Sequence, residues 1–307
     1  MRDMCGYLGD KLVTEVVVPG SHDSCAYNFT EKSPYGPDAI SWLIDNPTIG
    51  NIAQSIVVKW SQTQNRSTIE QLRDGIRYLD LRIGFVDNGF YLVHGLCGPS
   101  IDEVLSEIEQ FVAQCPQEII ILDFNHFYNM KEEQHTQLIN IIHQKLLKSM
   151  IPYTQDIPLT FNSLWESQKT IFVMYHHASC AAFPLLWPQQ CINSPWPDKT
   201  DPNDLFEYLR KCPRTPNFFV SQAILTPRVS TVVSSVLPTQ PSSLKNFTDM
   251  ANITVIDWLM EQVKAHPLNI IIVDFYESIN FVEAIILINQ FKYLKQKTNH
   301  STTQNSK

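Results

Sequence analysis

The 307-residue chain has no long apolar run, no basic excess and no cysteine pair at metal or redox spacing. No apolar stretch reaches the ~18–20 residues that cross a bilayer as a helix. The longest, VEAIILINQF, reads as part of a buried helix. The opening MRDMCGYLGDKLVTEVVV lacks a basic start followed by a long apolar run, so no secretory leader is expected. Lysine and arginine total 23 against 31 acidic residues, a net charge of −8, which argues against nucleic acid as a main partner and against adhesion to membranes through a broad basic face. Cys5, Cys25, Cys97, Cys115, Cys180, Cys191 and Cys212 are scattered and odd in number, as expected of reduced thiols in a cytoplasmic protein. Without a leader, Asn-x-Ser/Thr matches such as Asn246-Phe247-Thr248 are read as chance. No Walker loop, Gly-rich dinucleotide turn or Ser nucleophile elbow occurs.

What is present is a series of short apolar runs: TEVVVPG (14–20), RYLDLRIG (77–84), FYLVHGL (90–96), EIIILDF (118–124), TIFVMYH (170–176), NFFVSQAI (217–224) and NIIIVDF (269–275). Most are continuous rather than alternating, which predicts strands buried on both faces, as in a parallel sheet. Helical patterns separate many of them. STIEQLRDG opens on a Ser/Thr cap and closes on Gly75; SIDEVLSEIEQFVAQCP starts with capping and acidic residues and stops at Pro116. KEEQHTQLINIIHQKLLKSM, FTDMANITVIDWLMEQVKAHP and ESINFVEAIILINQFKYLK also read as helices. With apolar residues at 44% and charged residues at 18%, the chain has material for a large core. The expected fold class is α/β: a single barrel domain over 1–294 resembling a (β/α)8 TIM barrel, followed by a disordered polar tail, 295–307. Asp87-Asn88-Gly89 is a hairpin signal where a regular barrel has a helix, so the barrel is expected to be distorted and irregular.

Several runs end in reactive side chains: His22 and Asp23 after VVVPGS, Asp80 and Arg82 in YLDLR, His94 after YLV, Asp123 and Asn125 in IIILDFN, Asp274 and Tyr276 in IIIVDFY. In parallel α/β barrels the active site is built at the C-terminal strand ends. Asp80 and Arg82 are two apart and share a strand face; Leu79, Leu81 and Ile83 face the helices. Taken singly, each group has a structural reading: a satisfied histidine, an internal Asp80–Arg82 ion pair, or, for Asp123, the favoured reading of a helix cap. Together, two histidines and an arginine suit intramolecular phosphoryl transfer, with one His taking a proton, the other giving one, and the Arg holding the phosphate.

PGSHDS, RYLDLRI and YLVHG, in that order, resemble the X domain of phosphatidylinositol-specific phospholipase C, above all the small eukaryotic proteins made of this domain alone, from about Val13 to about Lys292. The resemblance implies a distorted TIM barrel that cleaves phosphoinositides to diacylglycerol and an inositol phosphate. It implies that His22 is the general base for the inositol 2-hydroxyl, His94 the general acid, Asp23 the carboxylate supporting that acid, and Asp274 the group that orients His22. Asp80, Asn125 and Tyr276 are the expected substrate-binding residues. The calcium-dependent members carry Asn after the first His and acids at the metal; here Asp23 and Arg82 stand there, and Phe124 takes a further acidic-ligand position. This resembles the bacterial arrangement in which a guanidinium replaces calcium, so no metal or other cofactor is expected. Asn125 stands where bacterial enzymes have a substrate-binding lysine, so their headgroup choice does not carry over.

The expected partner is a phosphoinositide lipid, met by a cytoplasmic protein in transient peripheral association. CAAFPLLWPQQCINSPWPDK (180–199) follows a barrel strand and is placed on the active-site rim, either as an interfacial anchor through Trp187 and Trp196 or as a proline-braced loop folded onto the barrel. SWLIDNPTIGNIAQSIVVKW (41–60) poses the same choice. Two other functions fit less well: a phosphoinositide-binding barrel with little or no turnover, against which both histidines and Arg82 count, and a metal-dependent glycerophosphodiesterase, which Arg82 suits badly.

Overall fold

The structure is a computed structural model; it describes residues 5–39, 50–154, 159–235, 237–265 and 268–303. In chain order the strands are β1 Val18–Ser21, β2 Tyr78–Val86, β3 Gly89–His94, β4 Leu96–Ser100, β5 Ile120–Tyr128, β6 Ile171–Tyr175, β7 Trp187–Pro188, β8 Ile192–Asn193, β9 Phe218–Gln222 and β10 Ile270–Val273. Their order around the sheet is β7-β6-β5-β2-β1-β10-β9-β8, every neighbouring pair parallel. Among the described residues β7 and β8 are not paired with each other, so the eight parallel strands form a nearly closed barrel.

The continuous apolar runs are explained by burial on both faces. Val18, Tyr78, Ile121, Phe172, Met174, Val220, Ile270 and Ile272 share one cluster inside the barrel. Their strand neighbours Leu79, Leu81, Ile120, Leu122, Val173, Ile271 and Val273 belong to a second cluster with residues of the surrounding helices, including Val104, Ile108, Leu138 and Trp258. The alternation of period two therefore sorts core from core rather than core from solvent. Gly20 fits this crowding: a Cβ there would sit 2.8 Å from Tyr78 Cδ1 and 2.9 Å from Ile272 Cγ2.

The helices follow their local signals. Thr68–Asp74 is capped by Ser67 in a capping box with Glu70 and ends on Gly75 in the left-handed region. Ile101–Gln114 is capped by Ser100. Glu132–Leu146, Leu244–Ala265 and Phe281–Thr303 occupy the other predicted helical stretches. The last helix runs into the segment expected to be a polar tail, of which residues 304–307 lie outside the described residues. The hairpin forms as expected: β2 and β3 pair antiparallel through Val86 and Gly89, with Asp87 and Asn88 both at positive φ, the geometry of a two-residue hairpin turn.

Residues 180–199 only partly follow the expectation of a rim segment: Trp196 lines the cavity, but the earlier part is built into the barrel. They supply β7 and β8, strands of two residues each. Trp187 is buried between Tyr153, Phe172 and Phe218, with its indole N–H donated to the carbonyl of Ile151 at 2.9 Å. An indole so packed cannot reach a lipid surface, so the anchor reading fails for Trp187. Trp196 remains 59% exposed. Of the 41–60 stretch, residues 41–49 lie outside the described residues, and the rest is the helix Gly50–Ser61. Among the described residues no helix is long and apolar enough to cross a membrane, and Cys25, Cys97, Cys115, Cys180, Cys191 and Cys212 are free.

Candidate active site

β1 delivers PGSHDS to the mouth of the barrel, where Asp23 turns at φ 38. The strained turn is held from several sides. The Asp23 N–H donates to Asp80 Oδ2 at 3.0 Å, Ser24 Oγ accepts from Asp80 N at 2.8 Å, and Thr63 Oγ1 donates to the Asp23 carbonyl at 2.9 Å. Gln64 Nε2 bridges the carbonyls of His22 and Val273, tying β1 to β10, and Gln71 Nε2 donates to the carbonyl of Ser24 at 2.6 Å. A second left-handed residue, Phe275 at φ 47, ends β10, and its N–H donates to the Thr63 carbonyl. Strained backbone of this kind persists where surrounding contacts over-determine it.

That turn brings His22, Asp23, Arg82 and His94 together. Asp23 Oδ2 lies 3.3 Å from Nε2 of both His22 and His94, and Asp23 Oδ1 lies 2.5 Å from Arg82 Nε. The imidazole centroids are 6.3 Å apart and the rings nearly perpendicular. Neither Asp23 oxygen has a well-directed hydrogen bond, so this buried carboxylate is held by charge alone. Each histidine has its outer nitrogen fixed: His22 Nδ1 lies 2.8 Å from Asp274 Oδ1, and His94 Nδ1–H donates to the Ser61 carbonyl at 2.7 Å. Both Nε2 atoms thus turn toward the same space. His94 reaches it from the antiparallel hairpin rather than from a barrel strand.

Asp80 and Arg82 lie along β2 above Tyr78, two residues or ~6.6 Å apart on a strand. Both oxygens of Asp80 are already used, by Asp23 N and by Asn125 Nδ2 at 2.6 Å. Burial would raise the Asp80 carboxyl pKa, but Arg82 and His22 outweigh it and hold it near 2. For Arg82 burial is likewise overcome, by Asp23 and Asp80, and its pKa rises further. At His22 burial lowers the pKa, whereas Asp23 and Asp274 raise it to about 9. The positive charge of Arg82, with Nη2 3.0 Å from His22 Nε2, pulls the other way.

One ligand atom from each of His22, Asp23 and Asp80 lies within 4.8 Å of the others, a donor set that suits a cation. Arg82 already contacts all three, at 3.0, 2.5 and 3.6 Å. Its guanidinium stands where such an ion would be held.

Beside Asp23 opens a cavity of about 610 Å³. His22, Arg82, His94, Asp274, Asp80 and Asn125 all face it. Tyr276 does not: it is buried and donates its hydroxyl to Asp74 Oδ2 at 2.7 Å, so it braces the helix Thr68–Asp74 instead of binding substrate. The left-handed Phe275 turns the chain between Asp274 and Tyr276, which period-two reasoning along the strand could not anticipate. Asp123 is not a helix cap. It is fully buried inside the barrel, accepting from Tyr78 Oη at 2.5 Å and lying 2.8 Å from His176 Nε2. His176 and the supporting Thr63, Gln64 and Gln71 were missed by sequence reasoning. His176 had the same signal as the others, a reactive side chain just past the end of an apolar run.

A family profile, "Phosphatidylinositol-specific phospholipase C, X domain", matches residues 53–176. The mouse PI-PLC X domain-containing protein 2 is 37% identical over 300 residues, covering 94% of this chain and 86% of the relative. The chain belongs to the family of PI-PLC X domain-containing proteins. Human PI-PLC X domain-containing protein 3 is 34% identical over 290 residues, 90% of this chain and 88% of its own. Among solved structures the barrel is similar to the phosphatidylinositol-specific phospholipase C of Listeria monocytogenes, with a TM-score of 0.63 at 21% identity over 93% of this chain and 97% of the other. It is also similar to that of Staphylococcus aureus, at 0.61 and 15% over 92% and 95%. The fold of this X-domain protein is therefore that of a TIM-barrel phospholipase C.

Proposed function

We propose that this X-domain protein is a phosphoinositide phospholipase C that cleaves the glycerol–phosphate bond of phosphatidylinositol without a metal. The observation that carries the reading is the shared Asp23, with both imidazoles on one oxygen and the Arg82 guanidinium on the other. Neutral His22 Nε2 takes the proton of the inositol 2-hydroxyl as its oxygen attacks phosphorus. The bond from phosphorus to the glycerol oxygen breaks, and His94 Nε2–H protonates the departing diacylglycerol. Water then opens the resulting inositol cyclic phosphate with the two roles reversed. Arg82 holds the phosphate oxygens, and Asp274 keeps the His22 proton on Nδ1. The test is diacylglycerol release from phosphatidylinositol vesicles in excess chelator; no product under any condition refutes the activity, and product only with added metal refutes its metal independence.

One observation favours a second reading, a phosphoinositide-binding barrel with little turnover: a base with a pKa of about 9 is mostly protonated near neutrality. Lipid binding without product, surviving alanine at both histidines, would mark that function.

The same shift fixes a pH dependence for the catalytic reading. A raised base pKa means the active, neutral form accumulates only as pH climbs, so kcat/KM rises toward pH about 9. Asp274→Asn removes a group that raises this pKa. It lowers the maximal rate and moves the rising limb to lower pH; a limb that stays in place would assign it to another group.

Membrane contact is assigned to the rim beyond β9. Trp196 and Thr226 both line the cavity and are joined by a hydrogen bond of 3.1 Å, and Arg228 pairs with Asp198 at 2.9 Å, so the two rim segments form one surface. Val229, Val233 and Leu237 follow, each about half exposed. Inserting one such side chain is worth about 1.5–3 kcal/mol, so Val233→Asp or Leu237→Asp is expected to weaken vesicle binding at least ~10-fold. Hydrolysis of a soluble inositol cyclic phosphate is unaffected. Unchanged vesicle partition in both variants would move the contact elsewhere.

A further inference from the structure

A third imidazole in the cavity has no part in the scheme above. His176 follows β6, three strands around the barrel from β1 in the order β1, β2, β5, β6, and so lies away from His22 and from the phosphate side of the site. Its Nε2 is 2.8 Å from Asp123 Oδ1, a contact of charge rather than a well-directed hydrogen bond. The Asp123 carboxylate is itself completely buried, with its other oxygen taken by Tyr78 Oη at 2.5 Å. A carboxylate sealed in a barrel is costly unless it is given donors. The Asp123 charge, 2.8 Å away, favours the His176 proton on Nε2, which leaves Nδ1 as the acceptor of the neutral ring. No hydrogen bond among the described residues uses that Nδ1.

We infer that His176, oriented by Asp123, is a headgroup-selecting residue that accepts a hydrogen bond from a free ring hydroxyl of the inositol, remote from the scissile phosphate. This rests on the phospholipase C reading for its substrate. The chemistry of the surroundings agrees. Asn125, His126, Asn193, Ser194 and Gln222 supply uncharged or weakly charged polar groups, and Arg82 is the one Lys or Arg side chain on the wall among the described residues. Arg82 is committed to Asp23, Asp80 and the reacting phosphate. A further phosphate on the ring would meet a lone pair on His176 and no guanidinium or ammonium. A buried acceptor facing a hydroxyl discriminates against a group that cannot donate to it. His176 and Asp123 thus select phosphatidylinositol over its ring-phosphorylated forms.

Three variants separate this role from a packing role. Gln at 176 places an amide near Nε2 and keeps the contact with Asp123, but loses the cavity-facing acceptor. Asn at 176 places an acceptor near Nδ1 and loses the contact with Asp123. His176→Arg exchanges acceptor for cation. Turnover is measured on vesicles carrying phosphatidylinositol or phosphatidylinositol 4-phosphate, alongside calorimetric binding of glycerophosphoinositol and the melting temperature. His176→Gln is expected to raise KM for phosphatidylinositol about tenfold, the worth of one hydrogen bond in a protein site, with kcat and stability little changed. His176→Asn recovers part of that loss despite lower stability, and His176→Arg shifts the preference toward the 4-phosphate.

If the wild type turns over while His176→Gln leaves KM and headgroup preference unchanged, the inference is overturned and the phospholipase C reading stands. If the wild type binds glycerophosphoinositol without turnover, and His176→Gln weakens that binding, the phospholipase C reading falls and the inference survives. A wild type that neither turns over nor binds overturns both.

Discussion

Alanine at His22 or at His94 is expected to reduce phosphatidylinositol turnover by about 10²–10⁴-fold, the usual contribution of a positioned acid or base. The two losses do not add. Attack by the 2-hydroxyl and departure of the glycerol oxygen are halves of one displacement, so the double variant falls little below the worse single one. The geometry accounts for this coupling: both Nε2 atoms stand 3.3 Å from the same Asp23 oxygen, and each Nδ1 is fixed, by Asp274 or by the Ser61 carbonyl. The measurement is single-turnover formation of inositol cyclic phosphate, with vesicle binding as the control for folding. Multiplicative losses would separate the two histidines into independent roles, and an unimpaired single variant would remove that residue from the chemistry.

The second large effect is expected at Arg82. Its removal takes away the positive charge at the phosphate, worth about 10²–10³ in kcat for a donor to a developing oxyanion. It also strands Asp23 and Asp80, 2% and 4% exposed at their side chains, and breaking a buried pair in this way costs about 3–5 kcal/mol. Arg82→Ala therefore melts earlier as well as turning over more slowly. Lysine does not restore either property, because one ammonium cannot span Asp23, Asp80 and His22 as the planar guanidinium does. With the guanidinium gone, His22, Asp23 and Asp80 are free to take a divalent cation, so calcium raises the melting temperature of Arg82→Ala and not that of the wild type. Wild-type turnover is expected to persist in excess chelator. Activity lost on chelation and restored by calcium would sink the idea that a guanidinium does the work of the ion.

Much of the barrel was legible because its signals are local. Six apolar runs became parallel barrel strands and a seventh the first arm after the hairpin, since period and burial are written into neighbouring residues. β7 and β8 were not legible: two-residue strands have no period to read, and the tryptophan that looked like a lipid anchor serves as packing between Phe172 and Phe218. Asp80, Arg82 and Asn125 line the cavity, but a register shift between β2 and β5 leaves Asn125 unpaired in the ladder and brings His126 to the same wall, which alternation does not foretell. Tyr276 does not line it, because the left-handed Phe275 reverses the chain immediately after Asp274.

The amino-acid order alone determined the α/β class, the hairpin at Asp87-Asn88 and the kinds of group waiting at the strand ends, all consequences of interactions within a few residues. Only the tertiary structure decided which of them meet. Asp274 reaches His22 across 252 positions of sequence, and Asp123 abandons the expected cap for Tyr78 and His176. Barrel closure makes these distances, because it sets the neighbours of each strand end without regard to chain separation. The low dielectric inside then decides which charges must pair.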